Sequence, residues 1–170
     1  MNLNKRILFF VIAVTAFSIS ANAQNRVNYE VLNDAALTKV VPTSFYFAGQ
    51  SAATQMRNTA AAKIGKERYI VVGLVDTSGY STEISGKYEG FFITDSPVAI
   101  GNKILGTGAY GFGFAANGQV RIFDLSSKQI LSVPTQTDNN MKRPRPLQMT
   151  SDNRGVRFYK GKNYVVITAR

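Results

Sequence analysis

Four carboxylates near the middle of the chain, Asp76, Glu83, Glu89 and Asp95, are of the type that does acid–base work, and paired carboxylates are the working groups of glycoside hydrolysis. The distance between the two groups sets that mechanism, so these acids make a site only if the strands carrying them pair. Leu74-Val75-Asp76-Thr77-Ser78-Gly79 presents Asp-Thr after two apolar residues, as an aspartic protease does, but its glycine arrives one position late. An Asx turn closing a strand explains the same residues without catalysis. The four acids also lack the spacing of a calcium loop. His and Cys are absent. That excludes zinc held by those ligands, a cysteine nucleophile, a Ser-His-Asp triad and any imidazole proton transfer. No catalytic residue, cofactor or metal is assigned, and hydrolysis by carboxylates is the least favoured function.

Cations offer a second chemistry. The formal net charge is +10, and most of it lies toward the end of the chain. Lys142, Arg143, Arg145, Arg154, Arg157, Lys160, Lys162 and Arg170 stand there against Asp152 alone. All but Arg170 form a candidate patch for an anionic partner, either lipid or polysaccharide. Lys142-Arg143-Pro144-Arg145-Pro146 is its densest run, held extended by the prolines. Aromatics interleave with the later cations, as in single-strand nucleic-acid binders, but an exported chain argues against nucleic acid. A solvated basic edge that discourages strand-to-strand aggregation explains the same charges without any partner.

A third candidate is GAYGFGFAANGQVRIFDL, residues 108–125. Alternation sets Tyr110, Phe112 and Phe114 on one face of a strand and Gly111 and Gly113 on the other. A two-residue turn at Asn117-Gly118 would place Phe112 opposite Phe123 and Phe114 opposite Arg121. Glycine inside a strand marks a bulge, a bend or a close approach. Three structures fit: an alanine-striped helix lying across the glycines, a sharply coiled sheet, or the floor of a cavity. The last makes Tyr110, Gly111, Phe112, Gly113, Phe114 and Phe123 a candidate site for a small apolar ligand.

The elements that must carry these residues are mostly strands. A positive segment, the apolar run Ile7 to Ile19 and Ala21-Asn22-Ala23 read as a cleaved signal peptide over residues 1–23, with no transmembrane segment left after cleavage. The expected destination is the periplasm or the cell exterior, and without cysteine the domain has no disulfide to rely on there. Residues 24–42 form an N-terminal arm with a turn of helix near Asp34 to Lys39, and residues 43–170 form a single β-rich domain. Strands are expected at 43–48, 69–75, 87–94, 98–100, 103–105, both arms of the 108–125 hairpin, 128–133, 147–151, 155–160 and 163–169, with a long polar loop from Thr135 to Pro146. Ser51 to Ile64 reads as the one helix of the domain. Ala52, Met56, Ala60 and Ile64 recur every four residues, Ser51 suits an N-cap, and Gly65 suits the position after the last turn. The fold class is therefore mainly β: an antiparallel meander forming a small barrel or sandwich, with this helix packed on it.

Val98 to Phe112, VAIGNKILGTGAYGF, resembles the Ile-x-Gly…Leu…Gly-x-Tyr-x-Phe hairpin of several uncharacterised families of small secreted bacterial β-domains. The resemblance implies an exported β-rich domain and carries no activity. The expected function is a non-enzymatic exported binding module, its ligand either a small apolar molecule or an anionic lipid or glycan surface. The alternative is an envelope structural or protein-interaction domain without a small ligand.

Overall fold

The computed structural model describes residues 27–170; the expected signal peptide lies outside the described residues. Along the chain the elements are β1 (Tyr29–Val31), α1 (Asp34–Val40), β2 (Ser44–Phe47), β3 (Gln50–Ile64), β4 (Arg68–Val75), α2 (Thr82–Ser85), β5 (Gly90–Thr94), β6 (Val98–Ile100) and β7 (Lys103–Leu105). They continue with β8 (Gly108–Ala115), β9 (Gln119–Phe123), β10 (Gln129–Pro134), β11 (Gln136–Thr137), β12 (Arg145–Asp152), β13 (Gly155–Gly161) and β14 (Asn163–Ala169). Two antiparallel sheets pack face to face, and no barrel closes. The larger, of eight strands, runs β1-β3-β4-β5-β8-β9-β10, with β2 also paired to β3. The smaller, of six, runs β12-β13-β14-β6-β7, with β11 paired to β14. The short helix in the arm forms as expected, capped by Asn33, whose side chain accepts from the Ala36 N–H at 3.0 Å.

The core between the sheets follows period-2 alternation. Ala60, Ala62, Ile64, Ile70, Val72, Phe92, Phe112, Val120, Ile122, Leu131 and Val133 of the larger sheet meet Val98, Ile100, Leu147, Met149, Val156, Phe158, Val165 and Ile167 of the smaller. Phe158 fills the centre, its ring edge-on to Phe112 at 5.1 Å and to Phe114 at 5.4 Å.

The helix expected over Ser51–Ile64 is a strand instead, and the longest among the described residues. A spacing of four residues is also a multiple of two, so Ala52, Met56, Ala60 and Ile64 satisfy a strand as readily as a helix. Tertiary pairing decides between them: Ala60, Ala61 and Ala62 lie opposite Val72, Val71 and Ile70 of β4. Gly65 does take the left-handed backbone its position suggested, with φ +66°, but as the first residue of the β3–β4 turn.

A second core lies on the outer face of the larger sheet. The pairing of β3 with β4 shifts register between Thr54 and Thr59. Beyond this bulge the β2–β3 hairpin reaches over to the segment just after β9, where the Ala48 N–H donates to the Leu125 carbonyl at 2.9 Å. Phe45 stacks on Phe91 at 5.1 Å and Phe47 on Tyr88 at 3.9 Å, with Val41, Ala52, Ala61, Val71, Val75 and Phe123 around them. The unpaired face of the sheet is thereby covered by the chain itself.

Candidate functional site

The glycines of β8 are explained by that outer layer. A Cβ on Gly111 would run into the Phe47 ring, and a Cβ on Gly113 into the Lys87 carbonyl where the chain crosses before β5. Neither an alanine-striped helix nor a ligand occupies this space; an aromatic ring and a stretch of backbone do. The hairpin register also differs from the expected one. The loop is Ala116-Asn117-Gly118, three residues rather than two, with Gly118 at φ +74°, so Phe112 faces Ile122 and Phe114 faces Val120. A slip of one residue moves a side chain to the opposite face. Phe123 therefore joins Gly111 in the outer core instead of Phe112 in the inner one.

The six residues proposed for an apolar ligand thus divide. Phe112 and Phe123 are buried in different cores, and Gly111 and Gly113 are covered. Tyr110 secures its own bend, its hydroxyl donating to the Gly106 carbonyl at 3.1 Å. Phe114, half-buried, lines a cleft at one end of the sandwich.

That cleft encloses about 540 Å³. One wall is the β8–β9 tip, with Phe114, Ala115, Ala116 and Gly118; the other is Pro144-Arg145-Pro146 with Lys160, Gly161 and Asn163. Thr135 holds the tip, its N–H and its hydroxyl both donating to the Gly118 carbonyl, at 2.8 and 3.0 Å. The two prolines suit an edge strand, since they fix φ and leave no inward N–H unpaired. Arg145 pairs with Gly161, and the register of β12 against β13 then shifts before Gln148. Arg145 is exposed and has no carboxylate in ion-pair range among the described residues.

Lys160 reaches the cleft from the end of β13 and pairs with Glu89. Glu89 fills a gap in the sheet. Its backbone N–H donates to the Phe112 carbonyl at 2.8 Å, and its second carboxylate oxygen accepts from the Phe114 N–H at 2.9 Å. The carboxylate takes the place of a strand that has turned away to cross Gly113, and so fixes both Phe114 and Lys160.

The basic patch divides as well. Arg145 and Lys160 line the cleft, with Lys162 exposed in the turn between Gly161 and Asn163 and Lys142 and Arg143 exposed just before Pro144. Arg154 and Arg157 lie at the other end of β13. Both bind Asp152, at 3.4 and 3.2 Å, and Arg157 stacks over Tyr164 at 5.3 Å. A hydrogen bond from the Arg154 backbone N–H, with the two arginine charges, holds the Asp152 carboxyl below the usual range. At this end both arginines share one carboxylate, whereas at the cleft end Lys160 is paired with Glu89 and Arg145 has no carboxylate in ion-pair range among the described residues.

The carboxylates considered for hydrolysis are each tied elsewhere. Asp76 accepts from the Ser78 N–H at 3.0 Å, the Asx turn expected of it, and that bond lowers its pKa. Glu83 meets Lys87 at 3.4 Å one helical turn on, Glu89 holds Lys160, and Asp95 accepts from the Tyr69 N–H at 2.8 Å. Among the described residues no cluster of acids is arranged to hold a metal ion, and no helix is long and apolar enough to cross a membrane.

Sequence reasoning named Phe114 for one site and Arg145 and Lys160 for another; the structure brings the three into one cleft. Sequence reasoning missed Pro144, Pro146, Thr135 and Asn163 as lining residues, and it considered Glu89 only for catalysis. Fold and geometry together define an antiparallel β-sandwich with a basic, partly aromatic cleft at one end. No family model, curated protein or solved structure matches the chain.

Proposed function

We propose that the protein is an exported, non-enzymatic binding module whose cleft captures an anionic group attached to an apolar face, as acidic glycans and lipid headgroups present it. One observation carries the reading: among the described residues Arg145 stands without a carboxylate partner, between two prolines and in the same cleft as Phe114. A guanidinium offers paired N–H donors to a carboxylate or phosphate, while the prolines and the ring offer a flat apolar surface. A small apolar ligand buried in the sheet is less well supported, because Phe47 and the Lys87–Tyr88 backbone fill the space beside Gly111 and Gly113. Export rests on the signal-like pattern of residues 1–23 and on the resemblance of the Val98–Phe112 hairpin to secreted β-domains.

The test is a titration of isotope-labelled protein with galacturonate, with neutral galactose as the control. Galacturonate should shift amide resonances at 114–118, 144–146 and 160–163, and galactose should shift them far less. Arg145→Gln should weaken the response about tenfold, the value of one charge-assisted contact. If galacturonate leaves those amides unmoved, or the variant responds like the wild type, the reading falls.

A further inference from the structure

A second cleft, of about 400 Å³, opens where α1, β1, the bulge of β3 and β12 meet. Its lining includes Arg57, Asp34, Thr38, Met56 and Gln148, and it shares Arg145 with the first cleft. The bulge is a built feature. Gln55 Nε2 donates to the Val75 carbonyl at 3.0 Å, Asn58 Nδ2 to Gln55 Oε1 at 2.9 Å, and Thr59 Oγ1 to the Met56 carbonyl at 2.9 Å. These bonds hold the loop that carries Met56 and Arg57 away from the ladder; bulges of this kind re-aim side chains. Arg57, like Arg145, is exposed and has no carboxylate in ion-pair range among the described residues. Asp34 is the acidic residue in that lining, so two arginines face one carboxylate.

Resting on the reading of the first cleft, we infer that the ligand is a chain: an acidic oligosaccharide that lies in both clefts and crosses Arg145 between them. A single anionic group cannot lie in both clefts, and Arg57 lines the second while Phe114 lines the first. A repeating polyanion can, and each added contact then acts at high effective concentration. The surroundings suit sugar rings. Pro144, Pro146, Phe114 and Met56 supply apolar faces, while Asn163, Thr135, Thr38 and Gln148 supply partners for hydroxyl groups. They suit an acyl chain poorly, because the interior behind Phe114 is filled by Phe112 and Phe158, which are 0% and 1% exposed. They suit a flat membrane poorly too, since Arg145 lines concave surfaces.

The test is calorimetric titration of the full mature chain with oligogalacturonides of one to six units at low salt, beside vesicles of phosphatidylglycerol in phosphatidylcholine. Affinity should rise at least about tenfold between dimer and hexamer. Arg57→Gln should abolish most of that rise, and Arg57→Lys, which keeps the charge, should retain part of it. Circular dichroism of the variants checks that they fold, which exposure of the arginine favours. An affinity independent of length, an unaffected Arg57→Gln, or binding to the anionic vesicles but not to the hexamer overturns the inference. The two proposals fail separately. If the single sugar moves the first-cleft amides but length adds nothing, the chain inference alone is lost; if the single sugar moves nothing, the cleft reading goes with it.

Discussion

On the inner face of the eight-stranded sheet, side chains from two sheets interdigitate; on the outer face, a hairpin of the same chain lies on places where side chains are missing. The inner core is a layer of Val, Ile, Leu and Phe from both sheets, with Phe158 at its centre. The outer core sets the Phe47 ring on Gly111, the Lys87 carbonyl on Gly113 and the Phe91 ring on Gly73. Large-to-large packing tolerates repacking within a fixed volume, whereas close approach to glycine tolerates no added atom. The inner core should therefore be sensitive to lost volume and the outer core to gained volume.

Substitutions at five positions can break or sharpen that contrast. The largest effect is expected from Phe158→Ala, which opens a hole in the inner core; chemical denaturation should show a loss of about 4 kcal/mol. A loss below about 1 kcal/mol would mean that the two sheets depend on each other far less than their shared core implies. Next comes Gly113→Ala. The added methyl meets backbone, which cannot rotate aside, so about 3 kcal/mol should be lost, with raised amide exchange at 87–90.

Gly111→Ala is expected to cost less, about 2 kcal/mol, because its obstacle is a side chain. Combining it with Phe47→Leu should recover roughly 1 kcal/mol relative to the sum of the single changes. Strict additivity would show that Phe47 is not what reserves position 111 for glycine.

Tyr88 should give the smallest effect at neutral pH. It is fully buried in the outer core and its hydroxyl has no hydrogen-bond partner among the described residues. Burial, with Tyr80 beside it, pushes its phenol well above the ordinary value of 10.0. Because the folded state holds this proton more tightly, the stability from the neutral phenol is fully present below about pH 10 and declines as the pH rises past it. Tyr88→Phe should leave neutral-pH stability within about 1 kcal/mol of wild type and move the alkaline unfolding midpoint upward. An unchanged alkaline midpoint would show that another group governs base denaturation.

Much of the sandwich could be read from residue order. Strands at 98–100, 103–105 and 163–169 match the expected bounds, because short apolar runs there are bounded by Gly-Asn or Gly-Lys turns. The helix expected at 51–64 failed where local pattern is ambiguous: a four-residue spacing serves both elements, and only the pairing of β3 with β1, β2 and β4 chooses. The site was legible in halves. Phe114 stood out by alternation and Arg145 and Lys160 by charge, but the residues that bring them together are far apart in the chain.

From the sequence alone follow the β-rich class, the basic final segment, and the exclusion of imidazole and thiol chemistry, because composition and period-2 patterning are properties of the local chain. Tertiary structure alone settled the face on which Phe123 lies, what covers Gly111 and Gly113, and which cations remain without a carboxylate. Those depend on a one-residue register and on contacts between distant segments. Glu89 shows why: its carboxylate holds Lys160, 71 residues further along, and no pattern within either segment records that pairing.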